Sequence, residues 1–434
     1  MSKQKAHKPK SPWTWIPTLY FGQGLPYIVV MSVAVIMYKR FGLSNTDIAL
    51  YTSWLYLPWV IKPFWSPFVD ILKTKRWWIV TMQLLIGAGL AGVAFTIPTP
   101  FYFQATIGFF WLLAFSSATH DIAADGFYML ALDDSQQSFF VGIRSTFYRI
   151  AMITGQGILI VLAGFLENRT DNLPLAWSIT FFILAGLFVV LFAYHNFILP
   201  HPKTDYGKAA HSASDIAKEF GQTFSSFFSK KGIGLAIAFM LLYRLAEAML
   251  VKLASPFLLD IREVGGMGLS TQEVGVVYGT VGVICLTLGG ILGGVVASQK
   301  GLKYWLWPMA LSITLPNAAY LLLSYFQPEN FLWINAAVGI EQFGYGFGFT
   351  AYMLYMIYFS QGEHKTAHYS ICTGFMALGM MIPGMVSGWL QELIGYNHFF
   401  IFIMIATIPT LLLVPFLKID SEFGKKTKQV KETV

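Results

Sequence analysis

Acidic side chains stand inside stretches that are otherwise apolar, and their spacing suggests chemistry. Asp121 and Asp125 are four residues apart in the run 101–131, so a helix brings both carboxylates to one face, which Ser117 and Tyr128 extend. Paired carboxylates in a low-dielectric setting are a device for taking up and releasing a proton. Arg149, in the following run, is the expected counter-ion. The competing reading is a static Asp–Arg pair that only orients two helices. Glu247 shares the run 232–259 with Tyr243 and Arg244, and reads either as a ligand group or as a partner of Arg244 one turn away. Glu341 and Gln342 form a further candidate pair, followed by Gly344, Gly346 and Gly348, which permit close helix packing or local bending. Asp121, Asp125, Glu247 and Glu341 are thus the proton-coupling candidates. The substrate-contact candidates are Tyr20, Gln23, Tyr27, Ser117, Tyr128, Arg149, Tyr243 and Gln342. Aromatic faces stack on sugar rings and amides bond hydroxyls, so this set suits a polyhydroxylated ligand. His120 follows a different face from Asp121, about 100° around the helix, and is expected to serve packing or hydrogen bonding. Lys62 and Lys252 are expected to extend their ammonium groups to an interface, with attraction of an anion as the alternative.

The elements that must hold these groups are membrane helices. Of 434 residues, 56% are hydrophobic and 12% are charged, about half the charged share of a soluble domain. A soluble surface could not be covered with so few charges, and disorder is excluded by the same composition. An ionisable group in a membrane helix costs about 2.5–3.5 kcal/mol on insertion scales, so function is its default explanation. Apolar runs fall at roughly 14–38, 46–71, 77–97, 101–131, 139–165 and 175–199, then at 232–259, 272–298, 303–325, 330–360, 366–392 and 397–418. Lys3, Lys5, Lys8 and Lys10 precede the first run as in a signal peptide. That run is too long for one and no cleavage site follows, so it reads as an uncleaved span. With the N-terminus in the cytoplasm, most of the 29 Lys and Arg fall on the cytoplasmic side, and Lys39, Arg40, Arg169 and Arg262 fall opposite. Both termini are therefore expected in the cytoplasm.

The chain repeats itself. Leu43-Ser44-Asn45-Thr46-Asp47-Ile48-Ala49 is similar to Leu269-Ser270-Thr271-Gln272-Glu273-Val274-Gly275. Two parallel six-helix halves are expected, an all-α membrane protein with residues 1–199 and 232–434 as bundles and a cytoplasmic linker at 200–231. Such a repeat places a cavity between the halves, where alternating access can occur. Ser44 with Asp47 and Ser270 with Glu273 have the spacing of helix caps, and are expected to start the second and eighth helices. Asp70, Lys75 and Arg76 form a basic turn between the second and third runs. They read as a cytoplasmic gate or as a topology signal alone; the repeat copy has Ala297 where Asp70 stands. Cys285 and Cys372 make no metal or disulfide pattern, and no phosphate loop, nucleophile elbow or HExxH occurs. No cofactor, no metal and no nucleic acid is expected.

Several stretches carry a family resemblance. They are Gly24-Leu25-Pro26, Lys62-Pro63-Phe64-Trp65-Ser66-Pro67-Phe68-Val69-Asp70, and Ser116-Ser117-Ala118-Thr119-His120-Asp121-Ile122-Ala123-Ala124-Asp125. Tyr148-Arg149, Glu273-Val274-Gly275-Val276-Val277 and the Glu341 stretch also fit. In these the chain resembles the AmpG-type anhydromuropeptide permeases of the major facilitator superfamily. The resemblance implies the major facilitator fold. It also implies proton-driven import, across the bacterial inner membrane, of N-acetylglucosaminyl-anhydro-N-acetylmuramic acid with or without its stem peptide, a step of cell-wall recycling. It maps the family's acidic pair onto Asp121 and Asp125. After the second acid the family has Trp-Lys-Thr-Asp, whereas Phe127-Tyr128-Met129-Leu130 stands here. Another amino-sugar or oligosaccharide, or acetyl-CoA, is the alternative cargo, and an intramembrane acyltransferase using His120 with Asp121 is a remote one. The partners implied are a small-molecule substrate, protons and the bilayer, for a monomer.

Overall fold

Inside a bilayer every backbone N–H and C=O must be bonded within the chain, so long apolar runs become helices. The computed structural model describes residues 11–202, 205, 213–362 and 364–425, and no strand occurs among them. The twelve expected runs are twelve helices. They are α1 (16–40), α2 (45–72), α3 (Lys75–Thr96), α4 (Tyr102–Ala131), α5 (134–170), α6 (Leu173–Ile198), α7 (Ile233–Leu259), α8 (Thr271–Lys300), α9 (Leu302–Phe326), α10 (Phe331–Ser360), α11 (365–394) and α12 (396–416). Among the described residues, nine segments are long and apolar enough to cross a membrane by length and composition. One of these, Ala367–Phe416, holds both α11 and α12, which meet at Gly395, whose φ of 75° only glycine adopts freely.

Caps and prolines set the boundaries. The Ser44 hydroxyl accepts the Asp47 N–H (3.0 Å) at the start of α2, and Ser270 forms a full capping box with Glu273 at the start of α8, as the spacing predicts. Asp133 and Gln136 do the same for α5. The second segment of α2 starts at Leu57 with Pro58 in its first turn, after a break that follows Trp54. One turn of π-helix widens α1 at Val29–Val33 and α5 at Thr154–Ile158, and Gln156 Nε2 donates to Ser32 Oγ between them (2.8 Å).

Proximity divides the chain into two units, Met1–Val33 with Phe64–Ser212, and Ala34–Pro63 with Ala213–Val434. Within the first, Trp15 before α1 and Leu19 and Tyr20 of α1 are buried with Ile79 of α3 and Phe127 of α4. Within the second, Phe239 and Tyr243 of α7 are buried with Leu306 of α9 and Tyr352 of α10. The second unit takes in residues 34–63, which the helix count assigns to the first half. Polar contacts at their ends explain this. Lys39 pairs with Asp260 at 2.6 Å, and Asn45 Nδ2 donates to Gln391 (2.6 Å) and to the Tyr396 hydroxyl (2.9 Å).

The glycines of α10 serve close packing. A Cβ at Gly344 or Gly348 would strike the backbone of α9 at Ser312 O or Met309 O, and one at Gly346 would strike α8 at Leu286 O. The expected linker contains a helix, Ala213–Phe228, that composition did not suggest. Phe227 anchors it in the second unit's core, and Ser226 Oγ lies 3.0 Å from His368 Nε2. On the following turn Lys230 donates to the carbonyls of Phe359 (2.6 Å) and Gln361 (2.8 Å) at the end of α10. Partial burial pulls its ammonium below the ordinary lysine range.

Candidate functional site

In the first unit, Asp125 of α4 is paired with Arg144 of α5 at 3.2 Å, and the Tyr20 hydroxyl of α1 donates to the same carboxylate oxygen at 3.4 Å. The guanidinium lies over the rings of Tyr20 (4.6 Å) and Tyr128 (5.0 Å), which contact each other edge to face. Tyr128 holds its own hydroxyl on the Gln137 carbonyl. The α4 face expected from the spacing is therefore present, with Asp125, Tyr128 and Tyr20 around one cation. For Asp125 the counter-ion is Arg144, a residue the sequence reading left without a role. Arg149 is half-buried on the same helix, five residues and about 140° further on. Asp121 lies within electrostatic reach of Arg144 and of Tyr148, and Tyr27 within that of Tyr148. Gln23 and Ser117 are buried, and Gln23 Oε1 and Ser117 Oγ have no hydrogen-bond partner among the described residues.

His120 is fully buried and turned away from this group. Its Nε2 lies 3.1 Å from Gln83 Nε2; Gln83 Oε1 lies 3.0 Å from His195 Nδ1, and His195 Nε2 lies 2.9 Å from Thr18 Oγ1. The amide fixes the direction: it donates to His120 and accepts from His195. This chain ties α4, α3, α6 and α1 together, the hydrogen-bonding role expected of His120. Gln83 and His195 were missed; a lone Gln and a lone His in separate apolar runs give no spacing to read.

In the second unit, Glu247 of α7 and Glu341 of α10 are both buried and within electrostatic reach of each other. Neither oxygen of Glu247 has a hydrogen-bond partner among the described residues. Glu341 has one, since Gln342 Nε2 donates to Oε2 at 2.9 Å while Oε1 is unpartnered. Arg244 turns to α10 instead, donating to the Tyr345 hydroxyl and lying over the rings of Tyr345 (5.2 Å) and Phe349 (4.9 Å). Tyr278 of α8 and Tyr320 of α9 lie within the field of both carboxylates, and the Tyr320 hydroxyl has no hydrogen-bond partner among the described residues. Tyr243 donates to Gly348 O at 2.9 Å, so its hydroxyl serves the α7–α10 contact. Unpartnered buried oxygens are costly unless something supplies a donor. The arrangement can hold a proton or accept hydrogen bonds from a polar ligand.

Lys252 departs from expectation. It does not extend to an interface but is buried, with its ammonium on Thr52 Oγ1 at 3.0 Å. At the basic turn, the Asp205 carboxylate accepts the N–H groups of Lys75 (2.6 Å) and Arg76 (3.1 Å), and the Arg76 guanidinium donates to Asn196 O. The side chain of Asp70, the acidic member of the expected gate, lies outside the described residues. An apolar groove of about 510 Å³ at Cys285, Asn335, Gly339 and Phe343 lies apart from these groups and brings no carboxylate or cation with it.

Twelve long helices with acids buried between them, and no strand among the described residues, define a class of membrane transporters. The Major Facilitator Superfamily model matches residues 18–366, and the chain belongs to that family. It is a multi-pass membrane transporter with a small-molecule substrate. It is similar to the putative transporter AmpG 4 of Rickettsia conorii, with 27% identity over 412 residues, 91% of this chain and 93% of that one. It is also similar to the anhydromuropeptide permease of Escherichia coli K12, with 24% identity over 368 residues, 82% of this chain and 70% of that one. Among solved structures, a bacterial homologue of the human lysosomal transporter Spinster, inward-facing and unoccupied, superposes with a TM-score of 0.70 at 14% identity, covering 94% of this chain and 96% of the other. A POT family transporter in complex with 5-aminolevulinic acid gives 0.71 at 12% identity, covering 92% and 95%. These two likenesses concern the fold.

Proposed function

We propose that this transporter is a proton symporter that imports anhydromuropeptides across the bacterial inner membrane by alternating access of two six-helix halves, as a monomer with both termini in the cytoplasm. The observation that carries the coupling is the Glu247–Glu341 pair, two buried carboxylates with three of four oxygens unpartnered among the described residues. A bound proton turns one of those oxygens into a donor and removes a charge from the hydrocarbon layer. Asp125 has Arg144 as its compensating charge and is assigned to substrate contact, with Tyr20, Tyr128 and Gln23 offering ring faces and an amide to a sugar. The likeness to AmpG-named relatives supports the cargo. An inward proton-motive force contributes about 2.3 kcal/mol per charge per 100 mV to accumulation.

The test is uptake of the labelled anhydro-disaccharide into sealed vesicles under an imposed pH gradient. Glu341→Gln and Glu247→Gln abolish accumulation and keep downhill exchange. Full pH-driven accumulation in both variants would remove this pair from the coupling step. A chemically altered product inside the vesicles would mean an enzyme.

A further inference from the structure

We propose that His368 is a proton-sensitive clasp: its neutral ring holds the linker helix Ala213–Phe228 on the second unit, and protonation of the ring releases that helix. The clasp is independent of the cargo and of the Glu247–Glu341 pair.

His368 stands in the first turn of α11 and is buried. Its Nε2 faces two oxygens of the linker helix, Ser226 Oγ at 3.0 Å and the Thr223 carbonyl at 3.3 Å. A carbonyl can only accept. The Ser226 hydroxyl spends its one proton on that same carbonyl at 2.9 Å, so toward the ring it accepts as well. Nε2 therefore carries the hydrogen, and Nδ1 is the bare nitrogen of the neutral ring. Nδ1 is buried and has no hydrogen-bond partner among the described residues.

A second proton has to go to Nδ1. There it makes a buried donor without an acceptor and a charge without a counter-ion. The charged and titratable groups in the ring's field are Lys230, from the turn after the linker helix, and His364, one turn back on α11 with its ring 5.9 Å away. Cys372, one turn further on, is buried and carries no compensating charge. Lys230 is held in place by the carbonyls of Phe359 and Gln361, so a charged ring would face a fixed cation. The rest of the packing is aromatic. Phe227 meets the imidazole edge to face at 5.4 Å, and Phe359 of α10 and Phe375 of α11 lie against Phe227. Among the described residues, no carboxylate lies within ion-pair distance of His368. The docked helix thus excludes the charged ring. Once released, the ring meets water and takes a proton as an ordinary histidine does. Docking and protonation compete for one group. On the topology proposed above the linker is cytoplasmic, so the clasp senses the compartment into which protons are delivered.

The experiment is backbone hydrogen exchange of the purified full-length chain in detergent at about pH 8 and about pH 5.5, corrected for the intrinsic pH dependence of amide exchange. A released ring with the usual midpoint of about 6.5 is protonated about ten to one at the lower pH. Opening of Ala213–Phe228 therefore rises about tenfold on acidification, while α9, which contains no histidine, is unchanged. His368→Gln, whose amide donates to the Thr223 carbonyl and never charges, opens equally at both pH values. His364→Gln keeps the response of the parent. Equal opening of the parent at both pH values, a rise shared by α9, a response retained in His368→Gln or one lost in His364→Gln overturns the proposal. If His368→Gln does not fold, exchange of the carbon-bound ring hydrogen of His368 in the parent decides. It follows the titration of that ring alone, and an ordinary histidine midpoint overturns the proposal. Vesicle uptake of the disaccharide bears on the muropeptide reading and leaves the clasp untouched.

Discussion

Asp260→Asn tests why residues 34–63 belong with the C-terminal helices. In the parent, Asp260 Oδ1 takes the Lys39 ammonium at 2.6 Å and Oδ2 takes the Tyr396 hydroxyl at 2.7 Å. Asn45 completes the cluster. Its Oδ1 accepts from Lys39 at 2.8 Å, and its amide reaches Gln391, Tyr396 and, more distantly at 3.4 Å, Asp260. An amide has two donors, so the long contact to Asp260 is the weakest of the three. Replacing Asp260 by its isostere keeps the shape, removes the charge and turns one acceptor into a donor facing a donor. The two side chains are 14% and 17% exposed, between the surface limit of about 1 kcal/mol and the buried limit of about 3–5 kcal/mol. We take about 2 kcal/mol, which corresponds to about a 30-fold larger opening equilibrium. Backbone hydrogen exchange over Asn45–Trp54 reads that equilibrium directly. The segment retains its apolar contacts, since Ile48 is still buried, so the effect is a faster opening and not loss of the helix. Glu422→Gln, which breaks an exposed pair with Lys425, is the control and leaves the segment's exchange unchanged. Exchange within twofold of the parent in Asp260→Asn would show that apolar packing alone holds residues 34–63 and that the polar cluster is incidental.

Two other outcomes are expected. Gly346→Ala destabilises by about 1–3 kcal/mol in detergent unfolding, because its Cβ meets the Leu286 carbonyl group and Gly290 N (3.0 Å), backbone that can yield only if α8 and α10 separate; Gly294→Ala, which meets nothing within 4 Å, does not. A Gly346→Ala chain as stable as the parent would mean that the crossing is looser than described. Gln83→Leu strips partners from both His120 and His195. Soluble interiors would put that at about 1–3 kcal/mol per orphaned group, but hydrogen bonds between membrane helices average about 0.6 kcal/mol, so about 1–2 kcal/mol in total is expected, with vesicle uptake preserved. Normal stability with uptake abolished would move this network from scaffold to mechanism.

The helices, their order and several of their boundaries were readable in the chain because the bilayer leaves the backbone one economical way to bond itself. Apolar length, Ser44 with Asp47, and Ser270 with Glu273 report that directly. The common face of Asp125 and Tyr128 was readable because helical periodicity is local. Tertiary structure decided what pairs with what. Arg144 rather than another arginine meets Asp125 because the register of α5 against α4 depends on packing along both helices, and Gly24 of α1 lying against the Tyr148 carbonyl is part of that packing. Lys252 reads as an interfacial lysine because its long stem can carry the charge out of the apolar layer, but Thr52 of α2 and Gly384 of α11 pack against it. Residues 34–63 read as part of the first half by order along the chain, yet side chains more than two hundred positions away hold them. Composition and periodicity act over one or two helical turns. A counter-ion, a buried cation's surroundings and the allegiance of a helix end are set by contacts between segments distant in sequence, which no local pattern encodes.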